Sequence, residues 1–166
     1  MRIKRVRSRK VIALMSMIFV LSGCGTGKVY CENEMYTLYV GEVEISPGKD
    51  AVGVLDALGV PISHSEEKEG CGSDEYVGVY KYQGIGIKTK HVSGREIIDT
   101  VTITDDTVRT SKGITVGSSR NDVIAAYGEN FEEHPSGIVY RKGQVSLNFS
   151  IRDDRVVLLY YDYEFQ

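Results

Sequence analysis

The sequence predicts an α+β protein of two tandem units, each a short helix followed by a three-stranded antiparallel meander. Three observations predict it. First, "ISPGKDAVGVLDALG" at 45–59 and "ITVGSSRNDVIAAYG" at 114–128 align without a gap, with Ile45/Ile114, Gly48/Gly117, Val54/Val123, Ala57/Ala126 and Gly59/Gly128 at matching places. Second, apolar residues within each copy recur at spacings of three and four, the period of a helix with one buried face. Third, each copy is followed by short runs that alternate apolar and polar, the period of a half-buried strand.

"YTLYVGEVEI" at 36–45 is rich in Tyr, Val and Ile and reads as a strand, or as two short ones broken near Gly41. The first helix follows, with Ala51, Val54, Leu55 and Leu58 on one face. Gly59 suits its C-terminal cap, and Pro61 prevents it from resuming. Strands are expected at 75–82, 85–90 and 96–104. The second helix places Val123, Ile124 and Tyr127 on one face, with Ser119 and Asp122 spaced as a capping pair and Gly128 at its end. Strands are expected again at 137–142, 144–151 and 155–164. In the middle one Val145, Leu147, Phe149 and Ile151 alternate with Ser146, Asn148 and Ser150. The turns "HVSGR", "KGQ" and "RDDR" are short, so neighbouring strands pair antiparallel. Each helix has about nine residues and is marginal alone, so it must pack on a sheet.

The N-terminus carries a different signal. "MRIKRVRSRK" is basic without an acid, and "VIALMSMIFVL" at 11–21 is apolar. A basic head, a short apolar run and small residues describe a secretory signal peptide. The run is shorter than the ~20 residues that span a bilayer as a helix. Leu21-Ser22-Gly23-Cys24 resembles the lipobox of bacterial lipoproteins, which implies that Cys24 is acylated and becomes the first mature residue. Two acyl chains give stable membrane attachment. The expected organisation is therefore a signal peptide at 1–23, a tether at 24–35, a first unit at 36–104, a connector at 105–113 and a second unit at 114–166. The expected location is the extracytoplasmic face of the cell membrane.

The whole chain has 20 basic and 23 acidic residues. Without the six basic residues of the leader, 14 stand against 23, a formal charge of −9. That charge argues against binding nucleic acid. Cys31 and Cys71 remain beside Cys24, an even pair in a compartment that permits disulfides. A Cys31–Cys71 bond is expected, with two free thiols as the alternative.

A glycine, a short helix of the type "SSRNDVIAAYG" and three strands behind a lipobox resemble the SmpA/OmlA lipoproteins of outer-membrane assembly. Two such units in tandem resemble the beta-lactamase inhibitor protein fold. "DDTV…GITVGSS…DVIAAYG" is similar to lipoproteins of Gram-positive bacteria. The two named families share the habit of binding other proteins, and the resemblance implies that habit here.

Catalytic and metal signatures are missing from the sequence. His64, His91 and His134 lack a partner at three or four residues, so zinc spacing is absent and no metal or cofactor is expected. Asp105-Asp106 and Asp153-Asp154 lack the alternating oxygens of a calcium loop and suit tight turns. "GIG" at 84–86 is not a dinucleotide fingerprint, since no helix follows. Among eleven tyrosines, Tyr76, Tyr80 and Tyr82 share one strand face, and Tyr161 and Tyr163 share another. These five are the candidate protein-binding residues, set against packing beneath the helices. The functional expectation is a non-catalytic protein-binding or envelope-assembly module. The alternatives are a small-ligand or ion sensor, or an envelope hydrolase whose carboxylates converge only in three dimensions.

Overall fold

The structure is a computed structural model that describes residues 36–68 and 76–165. A hairpin of β1 (Leu38–Val40) and β2 (Val43–Ile45) opens the described chain. Then come α1 (Val52–Leu58), β3 (Ser63–Lys68), β4 (Tyr76–Tyr82), β5 (Ile85–Val92) and β6 (Arg95–Ile103). The remainder is α2 (Arg120–Tyr127), β7 (Glu132–His134), β8 (Gly137–Lys142), β9 (Val145–Arg152) and β10 (Arg155–Tyr163). Strands β3 to β10 form one antiparallel sheet in the order β3-β4-β5-β6-β10-β9-β8-β7.

This corrects the expected α+β class of two helix-plus-meander units. The protein is mostly β, with an eight-stranded sheet, a separate two-stranded sheet and only two helices among the described residues. The meanders do not close on themselves. β6 and β10 pair at the centre, Thr100–Ile103 against Leu159–Asp162, and fuse both sets of strands. Each side also holds four strands rather than three, because β3 and β7 add to the outer edges. The physical reason is that an unpaired central strand leaves a row of amides and carbonyls open, and pairing β6 with β10 satisfies both rows at once.

The repeated phrase has a local structural meaning. In each copy the turn before the helix clasps a strand through reciprocal backbone bonds. Gly48 N–H donates to Ile98 O at 2.7 Å, and Ile98 N–H to Lys49 O at 2.9 Å. In the second copy Gly117 N–H donates to Val156 O at 2.8 Å, and Val156 N–H to Ser118 O at 2.9 Å. The helix starts differ. Ser119 and Asp122 form a full capping box on α2, whereas at α1 Asp50 Oδ1 accepts from Val52 N–H at 3.1 Å. The clasps hold both helices on one face of the sheet.

That face is the core. Its central row runs Tyr80–Ile87–Val101–Tyr161–Leu147–Tyr140 across β4, β5, β6, β10, β9 and β8. The next row holds Tyr82, Ile85, Ile103, Leu159, Phe149 and Ile138. Leu38 and Ile45 of the hairpin and Val123 of α2 are fully buried against them. Tyr127 of α2 sits 5.3 Å from Tyr140 and 5.4 Å from Phe149 between ring centroids, in tilted contacts.

Two buried hydroxyls in this core, those of Tyr127 and Tyr161, have no hydrogen-bond partner of ordinary geometry; they face each other, with Thr110 and Ser111 also beside Tyr127. Burial pushes Tyr127 up to about 12 and Tyr161 well above its ordinary value. Unfolded tyrosines ionise near 10. The stability carried by these neutral hydroxyls is therefore complete below about pH 10 and is lost as pH rises from there toward 12. Denaturant melts should show stability falling by roughly 1.4 kcal/mol per pH unit for each such tyrosine. Tyrosinate absorbance should rise together with unfolding; if these rings titrate while the protein stays folded, the assignment is wrong.

The outer edges of the sheet are polar. All six residues of β3 are exposed, and so are the three of β7.

Candidate functional site

Alternation along each strand gives the sheet a second face. One row runs straight across all eight strands: Ser63, Lys81, Gly86, Thr102, Tyr160, Asn148, Val139 and Glu132. The row beside it holds Ser65, Val79, Lys88, Thr100, Asp162, Ser146 and Arg141. These side chains are short, hydroxylated or charged, whereas the core rows are aromatic and aliphatic. Among the described residues, no helix or hairpin packs over this second face.

Side-chain bonds tie its rows together. Thr100 Oγ1 donates to Asp162 Oδ1 at 2.9 Å, and Asn148 Nδ2 donates to Ser146 Oγ at 2.8 Å. Lys88 Nζ lies 2.9 Å from Asp99 Oδ2, where a register shift in β6 offsets the two strands. Two hollows open on this face. One of about 340 Å³ lies over Gly86, with Val79, Lys81, Lys88 and the row Thr100, Thr102, Thr104 around it. The other, of about 270 Å³, is lined by Arg141, Ser146, Asn148, Ser150, Tyr160 and Asp162 among others. Tyr160 stands beside Thr102, so the hollows meet at the β6–β10 seam.

The tyrosines singled out in the sequence lie on the covered face instead. Tyr161 is fully buried, and Tyr163 lies beneath the turn at Gly48 and donates its hydroxyl to Gln144 Oε1 at 3.0 Å. Tyr76, Tyr80 and Tyr82 are half-buried, and Tyr80 and Tyr82 pack against the core. Tyr80 donates its hydroxyl to Glu96 Oε1 at 2.8 Å, Thr89 Oγ1 donates to the same oxygen at 2.7 Å, and His64 stacks on the Tyr80 ring at 4.2 Å. Burial first, then Glu96, pushes the Tyr80 hydroxyl well above its ordinary value and keeps it neutral. The network is internal and holds β3 against β4. Cys24, Cys31 and Cys71 lie outside the described residues, so the lipidation and disulfide expectations concern residues the structure does not describe.

The Asp105 and Asp122 carboxyls are both held below the ordinary carboxylate range; the first residue is half-buried and the second exposed. Hydrogen bonds from Thr107 lower the first, and bonds from Ser119 lower the second. These are a local loop and a helix cap. Among the described residues no cluster of three His, Cys, Asp or Glu could hold a metal, and no helix is long and apolar enough to cross a membrane. Asp153 and Asp154 form the β9–β10 turn with φ of 49° and 59°, a conformation that Asp tolerates better than most residues.

Sequence reasoning passed over Lys81, Gly86, Lys88, Thr100, Thr102 and Tyr160. The signal that could have found them is the pattern of even places along β4, β5, β6 and β10 taken together. No family model matches the chain, and no curated protein matches it. One solved structure is similar at a TM-score of 0.39 and 12% identity, an extracellular protein containing an SCP domain from Bacillus anthracis str. Ames. The alignment covers 96% of this chain and 50% of that one, so this chain spans about half its length. A TM-score that low does not establish a shared fold.

Proposed function

We propose that this chain is a non-catalytic protein-binding module, held at the extracytoplasmic face of the membrane by an acylated Cys24, and that the uncovered sheet face is its docking surface. One observation carries the reading. The sheet buries one face under both helices and the hairpin, and leaves across its other face an uninterrupted row from Ser63 to Glu132. Rigid strands hold such side chains without further ordering, which lowers the entropic cost of association. Tyr160 at the centre supplies an amphipathic ring of the kind that anchors interfaces. The lipobox-like Leu21-Ser22-Gly23-Cys24 and the leader support a position outside the cytoplasm.

The test is site-specific photo-cross-linking from the lipidated full chain on cells. A cross-linker at Thr102 should capture one defined protein, and a cross-linker at the exposed Ala57 of α1 should not. Tyr160→Ala should then weaken the purified pair roughly tenfold, the loss of about 1.4 kcal/mol. Equal capture from both positions, or an unchanged affinity for Tyr160→Ala, overturns the reading.

A further inference from the structure

Gly86 has no internal reason to be glycine. It lies mid-strand in β5, paired with Lys81 on one side and Thr102 on the other. Its φ is not positive, and a Cβ built there would meet nothing within 4 Å. A glycine inside a strand weakens it, because it has more freedom to lose and no side chain to pack. Gly78 in the neighbouring strand is a useful contrast. A Cβ there would lie 2.6 Å from Thr89 Oγ1 and 2.8 Å from the Tyr80 ring, so packing explains that glycine. At Gly86 the space is empty and faces outward, the situation in which a strand glycine marks the close approach of something else.

The surroundings say what approaches. The hollow over Gly86 is lined by Lys81 and Lys88 and by the hydroxyls of Thr100, Thr102 and Thr104, with Val79 and other apolar atoms at its walls. No carboxylate lines it. Lys88 is shared with Asp99, whereas exposed Lys81 makes no ion pair among the described residues. In a chain whose mature part carries a formal charge of −9, this is a local positive site. The lysines bracket the gap diagonally, one directly opposite Gly86 on β4 and one two residues along β5. A lysine ammonium is a point charge that donates in three directions, and the threonines add donors from β6.

We infer that the Gly86 hollow is the specificity pocket of the docking face and receives a carboxylate side chain from a protein partner, with Lys81 as its principal cation and Thr102 and Thr104 as hydrogen-bond donors. This inference rests on the docking reading above and names the partner's chemistry. A partner protein is favoured over a free small acid because the hollow lies on a flat sheet and has no lid among the described residues. A small ligand needs most of its surface buried to bind well. A side chain presented by a protein is held instead by contacts along the neighbouring rows, which continue through Tyr160 and Asn148 to the far edge.

The probe is a capped peptide of alternating valine and glutamate, with valine and glutamine as its control, titrated into the full-length chain. The glutamate peptide should bind about tenfold more tightly than the glutamine peptide, and added salt should weaken it. Lys81→Glu should abolish that preference. Gly86→Val should abolish binding while leaving the melting temperature unchanged or raised, because the site accepts a Cβ and valine favours strands. A lowered melting temperature for Gly86→Val would show a structural role and overturn the inference. So would equal binding of the two peptides, or no binding of either. Capture at Thr102 then decides separately whether the face docks a protein at all, so the pocket can fail while the docking reading stands.

Discussion

Gly137→Ala should unfold the protein or bring it close to unfolding. Gly137 opens β8 with φ of 154°, opposite Ser150 of β9. A methyl group there would overlap the carbonyl oxygen of Phe149, a backbone atom that cannot swing aside. Relief requires prising β8 from β9 at the point where Ile151 N–H donates to Ser136 O at 2.7 Å. Losing that closure frees the turn into β7 and exposes Ile138, which is fully buried. Strain of this kind in a fixed backbone exceeds the ~0.5 kcal/mol of an ordinary surface change, and a loss of roughly 3 kcal/mol or more is expected. Chemical denaturation checks it. A Gly137→Ala variant as stable as the parent would mean that β8 does not pair as described. Gly86→Val is the internal comparison, since it also replaces a glycine on the same sheet but meets open space.

Phe149→Ala is expected to cost roughly 3–5 kcal/mol, the range for emptying a buried aromatic site. Phe149 is 1% exposed and touches both Tyr127 of α2 and Tyr140 of β8, at 5.4 Å and 6.1 Å. It is one of the residues on which α2 rests against β8 and β9. The cavity cannot collapse easily, because Tyr140 is fixed by its hydroxyl, which donates to Gly128 O at 2.7 Å. Two readouts should move together, the unfolding free energy and the protection of α2 amides from exchange. Phe149→Leu, which keeps most of the volume, should recover much of the loss. If α2 protection is unaffected by Phe149→Ala, the helix is not anchored through this ring.

How much of this was legible in the sequence depends on what each residue has to satisfy. Both helices were legible, because Val123, Ile124 and Tyr127 had to face a core and Ser119 and Asp122 had to cap. Six of the eight large-sheet strands were legible from alternation. β3 was not, because "SHSEEK" is an edge strand whose residues are all exposed, and nothing obliges such a strand to carry apolar residues. β7, "EEH", escaped for the same reason. The fusion at β6 and β10 left no trace either. Val101 and Ile103 alternate with Thr100 and Thr102 whether the strand is an edge or a centre, so the pattern fixes faces and not neighbours.

The candidate site shows the same limit. Alternation put Tyr76, Tyr80 and Tyr82 on one face, and it could not say which face the helices would cover. The turn at Gly48 decides that by clasping Ile98 from the side of Tyr161 and Tyr163. Gly86 read as an unremarkable residue in "GIG" because its meaning is a vacancy between Lys81 and Thr102, and those two lie on other strands. Only register brings the three together.

The charged margins of the sheet bear on life in a crowded layer. Held by an acylated Cys24 as proposed, the protein would diffuse in two dimensions beside copies of itself, with their flanks brought repeatedly into line. Glu66, Glu67 and Lys68 on one rim and Glu132 and Glu133 on the other confront any approaching neighbour with ions that would have to shed their water. Polymerisation into ribbons is thereby discouraged without a covering element, and the flat of the sheet stays available for a different guest.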